Sequence, residues 1–491
     1  MTPLIRRRWV RYTLAAIVVL GIAGAMFTYE RFFREQPAPF FVSDEDHFLF
    51  GSVGTEAAEG LPYWVWLVLP RIFPDLLPGP GGYASLGILS KPGYEMPVGL
   101  SKVTIGFPRV AINCAMCHTA SVRLRPDDIP RLVPGAPSHQ TAPQQYARFL
   151  MEAAADPRFT AGNILGEIAK NYRLSTLDRL LYRFAIIPAT RRALLQLREQ
   201  SSWMHTRTEW GRGRIDPFNP VKFRMLGQPI DETIGNSDMV PLWNLRAHAG
   251  SGYAYHWDGL NTNLQEVVMS SAIGDGANKT WVDRDYLRWD ETDRREMSSL
   301  RRVMNYISDL QPPKFPFPVD AELAAAGADA FRAECASCHA PGGERFGDVV
   351  AVSDVGTDRH RLEMWTKPSA AAYNAYGEGR EWDFSAFRTT EGYVAVALDG
   401  LWLRGPYLHN GSVPSLADLL ESVERRPLIF SRGYDVIDPV KVGFVSEGPD
   451  AQREGTRYDT SRPGNSNAGH NYGTTLPPET KRALLEYLKT L

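Results

Sequence analysis

At 491 residues the chain exceeds one small module, and at roughly 150 residues per domain it predicts about three units. Charged residues make up 22% and hydrophobic ones 44%, a globular balance that excludes a largely disordered chain. Lys+Arg 54 against Asp+Glu 56 leaves a net charge of −2, so no basic excess supports nucleic-acid binding.

Arg6, Arg7, Arg8 and Arg11 precede an uncharged, largely apolar stretch from Tyr12 to Tyr29. That length is near the minimum for a membrane span, and the basic leading flank orients its start toward the cytoplasm. Residues 1–36 are read as a retained signal-anchor, with a signal cleaved near Ala23-Gly24-Ala25 as the alternative. Either way the body is expected on the periplasmic side of a bacterial inner membrane. The apolar run Tyr63 to Leu69, between Pro62 and Pro70, is too short to span and is read as core rather than lipid contact. Apolar spacing predicts helices over 143–155, 176–201 and 291–310, the last capped by Asp290. The Pro-dense stretch Gln311 to Pro318 is read as an interdomain linker. Helices are expected from Ala321 to Ala333 and from Pro478 to Leu491, with short strands near 348–352 and 441–445. No internal repeat is visible.

The 4 cysteines form two local pairs, each followed at once by histidine: Cys114-Ala115-Met116-Cys117-His118 and Cys335-Ala336-Ser337-Cys338-His339. Covalent haem attachment needs two thiols one helical turn apart for the vinyl groups and an imidazole directly after them for the iron. A disulfide framework or a thioredoxin-like pair would not place histidine twice in that slot. A zinc site would want its pairs closer together. Two covalently bound haem c groups are therefore expected, with His118 and His339 as proximal ligands.

His47, His139, His205, His248, His256, His360, His409 and His470 remain. For the distal side of the second haem His470 is favoured, in the glycine-rich loop before the last helix, because glycine permits close approach to a macrocycle. His409 is the rival. For the first haem no ligand stands out, although Trp243 and the segment Tyr255-His256-Trp257-Asp258-Gly259 could line a pocket or simply fill core. Arg359, His360, Arg361 and Arg404 are candidate partners of haem propionates, with surface salt bridges as the alternative.

With both motifs placed, the chain resembles the bacterial dihaem cytochrome c peroxidase and MauG superfamily, and looks closest to its rubber-oxygenase-like members. The pieces that carry the likeness are both haem motifs, Tyr255 to Gly259 with Leu264, and Leu403-Arg404-Gly405-Pro406-Tyr407-Leu408-His409-Asn410-Gly411 with Leu416. The loop ending at Gly473 and the Leu-Lys-Thr-Leu terminus also fit. The resemblance implies an N-terminal haem that does the chemistry, a six-coordinate C-terminal haem that relays electrons, and Trp257 between them; it also supports His470. Peroxidases of this group place a glutamine ten residues after that tryptophan and a glutamate further on. Here Val267 follows Glu266, and Asp275 is the one carboxylate from Gly274 to Thr280.

The expected protein is mainly α: a transmembrane helix, an N-terminal haem domain at 37–311 with a long insert, and a C-terminal cytochrome c domain at 319–491. It is expected to be a membrane-anchored dihaem c-type cytochrome, leaning toward a haem-dependent oxidoreductase. Oxygen or peroxide would meet the first haem, with Trp257 and His256 as catalytic candidates. A periplasmic or membrane redox partner is expected and no nucleic acid. The alternatives are a pure electron carrier and a redox or gas sensor.

Overall fold

The apolar N-terminal stretch forms one helix, Pro3–Thr28, that runs into a π-helical turn at Tyr29–Phe33. Residues Trp9–Phe33 are long and apolar enough to cross a membrane and are not buried against the body. The computed structural model describes residues 3–248 and 252–491; the side chains of Arg6, Arg7 and Arg8 lie outside what it describes.

Beyond the π turn the chain docks on a three-stranded antiparallel sheet of order Leu61–Pro62, Phe107–Ile112, Leu100–Ile105. The amide of Gln36 donates to the Thr104 carbonyl at 2.9 Å, and that of Gly106 to the Arg34 carbonyl at 2.8 Å. Gly106 turns the hairpin at φ +71, and a side chain there would collide with the backbone of Phe32; only glycine meets both demands.

The Trp-rich run forms the helix Tyr63–Ile72 and buries Tyr63, Val65, Trp66, Val68 and Leu69, the core reading of that segment. Pro70 lies in its last turn and cannot donate to the Trp66 carbonyl four residues back. The Tyr83 hydroxyl donates to that oxygen instead, at 2.8 Å.

Helices form at Pro143–Ala155, over 176–200 with a π-helical turn at Tyr182–Ile186, at Ala321–Glu334 and at Pro478–Leu488. The helix expected over 291–310 begins later, at Ser299–Asp309. Its cap is Ser298, whose Oγ accepts from the Arg301 amide at 3.1 Å, while the Asp285 carboxylate takes the Ser299 amide at 2.8 Å. Those two acceptors satisfy amides of the first turn, so Asp290 is not needed as a cap.

The mainly α expectation is corrected. Among the described residues the helices share the chain with that three-stranded sheet and five two-stranded ones, including Thr119–Val122 with Arg131–Pro134 and Val349–Ala351 with Gly392–Val394. Most strands are two to six residues long, too short for period-two alternation to stand out.

Two apolar cores interleave along the sequence. The first runs from Phe48 to Ile307 and adds Met364, Trp365, Tyr373, Trp382, Phe384 and Phe387. The second is built mainly from residues 330–488 but takes in Ala120, Val122, Ala136 and Trp243. The Pro-dense stretch packs on the second core: the Trp402 indole donates to the Pro313 carbonyl at 2.9 Å, and Phe315 lies edge-on to that indole.

Helices Ala321–Glu334 and Pro478–Leu488 cross so closely that a Cβ on Gly327 would collide with the Ala483 carbonyl oxygen. Gly327→Val is therefore expected to destabilise the protein by about 1–3 kcal/mol through overpacking. The check is the urea midpoint, which should fall; an unchanged midpoint would contradict the close crossing.

Candidate functional site

The first Cys pair sits on a 3₁₀ turn, Cys114–Met116, that Asn113 caps: its side chain accepts from the Ala115 amide at 3.0 Å and donates to the Gly51 carbonyl at 2.9 Å. The His118 amide returns to the Cys114 carbonyl at 3.1 Å, which brings the imidazole to the same side as the thiols. The second pair repeats the pattern, with the His339 amide on the Cys335 carbonyl at 2.9 Å. None of the four cysteines is in a disulfide. Burial pushes those of Cys114 and Cys335 up to about 12 and that of Cys117 up as well.

Both motif histidines are oriented in the same way. His118 Nδ1 donates to the Val240 carbonyl at 2.9 Å, and His339 Nδ1 to the Val396 carbonyl at 2.7 Å. A bond of this kind fixes the tautomer and leaves Nε2 with a lone pair for a metal. Burial holds His118 down at about 4 and lowers His339, so both imidazoles are neutral at pH 7, as ligation requires.

His470 faces His339 with ring centres 6.2 Å apart. Two imidazoles on opposite sides of one metal, each nitrogen ~2 Å from it, have centres about that far apart. The loop is held for this: the His470 amide donates to the Val355 carbonyl at 2.7 Å, and the buried Arg426 guanidinium binds the carbonyls of Asn467 at 2.6 Å and Gly469 at 2.8 Å. His470 itself adopts φ +49, and its Nδ1 is buried without a hydrogen-bond partner. Burial, with His339 and Arg426 nearby, holds it down at about 3. These residues fit a six-coordinate haem. His409 is placed otherwise: it stacks on Tyr393 at 3.9 Å, and its Nε2 meets the Tyr393 hydroxyl at 3.0 Å.

Trp257 joins the two motifs. Its indole donates to the Asp238 carbonyl at 2.7 Å, and its own carbonyl accepts from the Val394 amide at 2.8 Å. Asp238 and Val394 each precede by two residues the valine whose carbonyl orients a motif histidine. The adjacent His256 lies at φ +64 with its Nε2 buried and unpartnered, 5.7 Å from the Phe218 ring. Burial, then Arg361 and His118, hold it down at about 3. Trp243 belongs to the second core.

The arginine candidates divide. Arg359 is exposed and has only loose partners, Glu363 at 3.6 Å and Glu391 at 3.8 Å. Arg361 is buried against Asp258 at 3.0 Å and Ser237 Oγ at 2.7 Å. Arg404 binds the carbonyls of Ala397 and Asp399, bracing the turn beside Val396. His360 is raised by its bond to Asp358. Of the other histidines, His47 bonds Ser299 Oγ at 3.0 Å, His248 pairs with Asp399 at 3.1 Å, and His139 lies on the Phe444 ring. Among the described residues no three or more His, Cys, Asp or Glu side chains gather as a bare-ion site.

Glu266 is engaged structurally, taking Asn261 Nδ2 at 2.9 Å, Ser385 Oγ at 3.0 Å and the Ala386 amide at 3.1 Å. Asp275 is different. It ends the helix Leu264–Asp275, which packs against the Cys114–Met116 turn. Burial pushes its carboxyl up to about 7, and its charge disfavours ionisation of Cys114 and Cys117. Its sequence signal was weak: it is the one carboxylate from Gly274 to Thr280, on a helix that also carries Glu266.

Compared with known proteins, residues 392–431 match the RoxA-like, cytochrome c-like family. That span contains Val396, which orients His339, and the segment through His409. The likeness of that segment to a cytochrome c-like domain supports covalent haem c. Two curated relatives come from Sinorhizobium fredii (strain NBRC 101917 / NGR234). Uncharacterized protein y4iM is 31% identical over 232 residues, covering 38% of this chain and 53% of the relative. Uncharacterized protein y4iJ is 28% identical over 255 residues, covering 38% of this chain and 42% of the relative. The chain spans about half the length of these relatives.

Asp275 is neutral below about pH 7 and charged above it. Because its folded pKa lies above the ordinary carboxylate value, it contributes a stability that declines from about pH 4 to pH 7 and levels off beyond. In Asp275→Asn that part of the decline should vanish, as read from urea midpoints across this range.

Proposed function

We propose that this chain is a membrane-anchored, periplasm-facing dihaem c-type cytochrome of the peroxidase and MauG type, passing electrons between two haems, with oxygen or peroxide meeting the first. The observation that carries the reading is the paired orientation of His118 and His339 on the carbonyls of Val240 and Val396, with Trp257 bonded two residues from each. When bound, haem supplies one-electron redox chemistry and, where a side is open, a site for an oxygen ligand.

The chain's own residues do the rest. Val240 and Val396 fix each proximal tautomer. His470, held by Arg426, would be a further ligand for a haem at the second motif. Trp257 gives an aromatic bridge whose indole N–H is already engaged. Asp275, poised near pH 7 beside the first Cys turn, holds or releases a proton there, which general acid–base catalysis requires.

A second reading, electron transfer without catalysis, is favoured by His256. Its buried, unpartnered Nε2 would close the first iron if it ligates. The two readings differ in spin state: a high-spin ferric component shifted by cyanide supports the enzyme, and two low-spin, unreactive haems support the carrier.

The pyridine haemochrome of the purified protein should report two haems per chain, falling to one in Cys335→Ala/Cys338→Ala. An unchanged count in that variant refutes attachment at the second motif. His470→Ala should add a high-spin signal; if His409→Ala does so instead, the ligand assignment is wrong.

A further inference from the structure

We propose that the outer face of helix 176–200 rests on the bilayer beside the anchor, a second lipid contact that fixes the orientation of the body. The proposal depends on the N-terminal helix being retained.

Leu177, Leu180, Phe184 and Leu195 are 38%, 50%, 71% and 37% exposed. Leu177, Phe184, Pro188 and Leu195 recur at intervals of seven, four and seven residues, which aligns them on one side of a helix, with Leu180 on its flank. The opposite side, with Tyr182, Ile186, Ile187 and Leu194, is buried in the first core. A lone exposed leucine needs no explanation. Several in one stripe, on a helix whose other face already supplies the core, indicate a surface that is covered in the working protein.

The stripe starts where the anchor ends. Arg31, in the π turn that leaves the apolar span, pairs with Asp178 at 3.3 Å. Phe32 contacts the Phe107 ring edge-on at 6.4 Å, Phe107 contacts Tyr182 at 6.3 Å, and Arg109 Nη2 donates to the Phe32 carbonyl at 3.0 Å. Helix 176–200 is thereby bound to the segment that emerges from the lipid.

Its charge suits the same surface. On helix 176–200 and the turn before it Arg173, Arg179, Arg183, Arg191, Arg192 and Arg198 stand against Glu199 and Asp178, the latter bound to Arg31, while Lys170 pairs with Glu167. An apolar stripe flanked by arginine and lysine, in a chain of net charge −2, has the composition of a helix lying in an interface of anionic headgroups.

The test places p-benzoylphenylalanine at position 184 of the full-length holoprotein in nanodiscs of phosphatidylethanolamine and phosphatidylglycerol. Illumination should give lipid adducts roughly tenfold above those from the same probe at Ile129, an exposed site elsewhere on the body. Absence of lipid adducts, or cross-links to protein alone, overturns the proposal, the latter in favour of a second copy or a protein partner. Intact mass and resistance to alkaline carbonate report separately on the anchor. If the N-terminus proves to be removed, the mature protein is floated with vesicles of the same lipids. Binding that is lost in Leu180→Glu/Phe184→Glu then supports the face without the anchor, and no binding refutes it.

Discussion

An imidazole N–H directed onto a main-chain carbonyl sets the geometry of both sites. His118 on Val240 and His339 on Val396 are half-buried bonds, and each decides which nitrogen is left to meet a metal. Neither valine can be exchanged for another residue and change the acceptor, because the acceptor is backbone; the position of the strand or loop is what matters. Trp257, bonded to Asp238 and Val394, ties those two positions together.

The surrounding charges reinforce that tie. Arg361 with Asp258 and Arg432 with Asp238 are ion pairs at 3.0 Å and 2.9 Å with all four side chains almost fully buried. Such pairs add little stability over apolar packing, but losing one partner strands the other charge in the interior. Asp238 and Asp258 flank the segment that carries Trp257, which makes these pairs devices of position. The interleaved cores act in the same direction, since residues after the Pro-dense stretch complete the first core and early residues complete the second.

What the sequence revealed depended on how local the signal was. The two Cys-x-x-Cys-His motifs, the helix at Pro143–Ala155 and the terminal helix are short-range patterns, and they stand where periodicity and motif placed them. The Ser299–Asp309 helix starts later than periodicity suggests because Ser298 caps it and Asp285, from the helix Lys279–Tyr286, takes a first-turn amide. Of the small sheets, the strands near 348–352 and 441–445 were legible; the others were not, because they pair across distance and are too brief to alternate. Val240 and Val396 act through carbonyl oxygens, which leave no trace in residue type. Asp275 was visible as a lone carboxylate, yet its contact with the first Cys turn and its burial are properties of the folded chain.

The mixing of early and late segments also bears on the order of assembly. Ala120, Val122, Ala136 and Trp243 lie in a core whose other buried members run from Ala330 to Leu488, so that core stays open until most of the polypeptide is present, a topology of long loop closures. Cys114 and Cys117, a few residues upstream, are half-buried against the first core, whose last members, Met364 to Phe387, are the final parts of their surroundings to be synthesised.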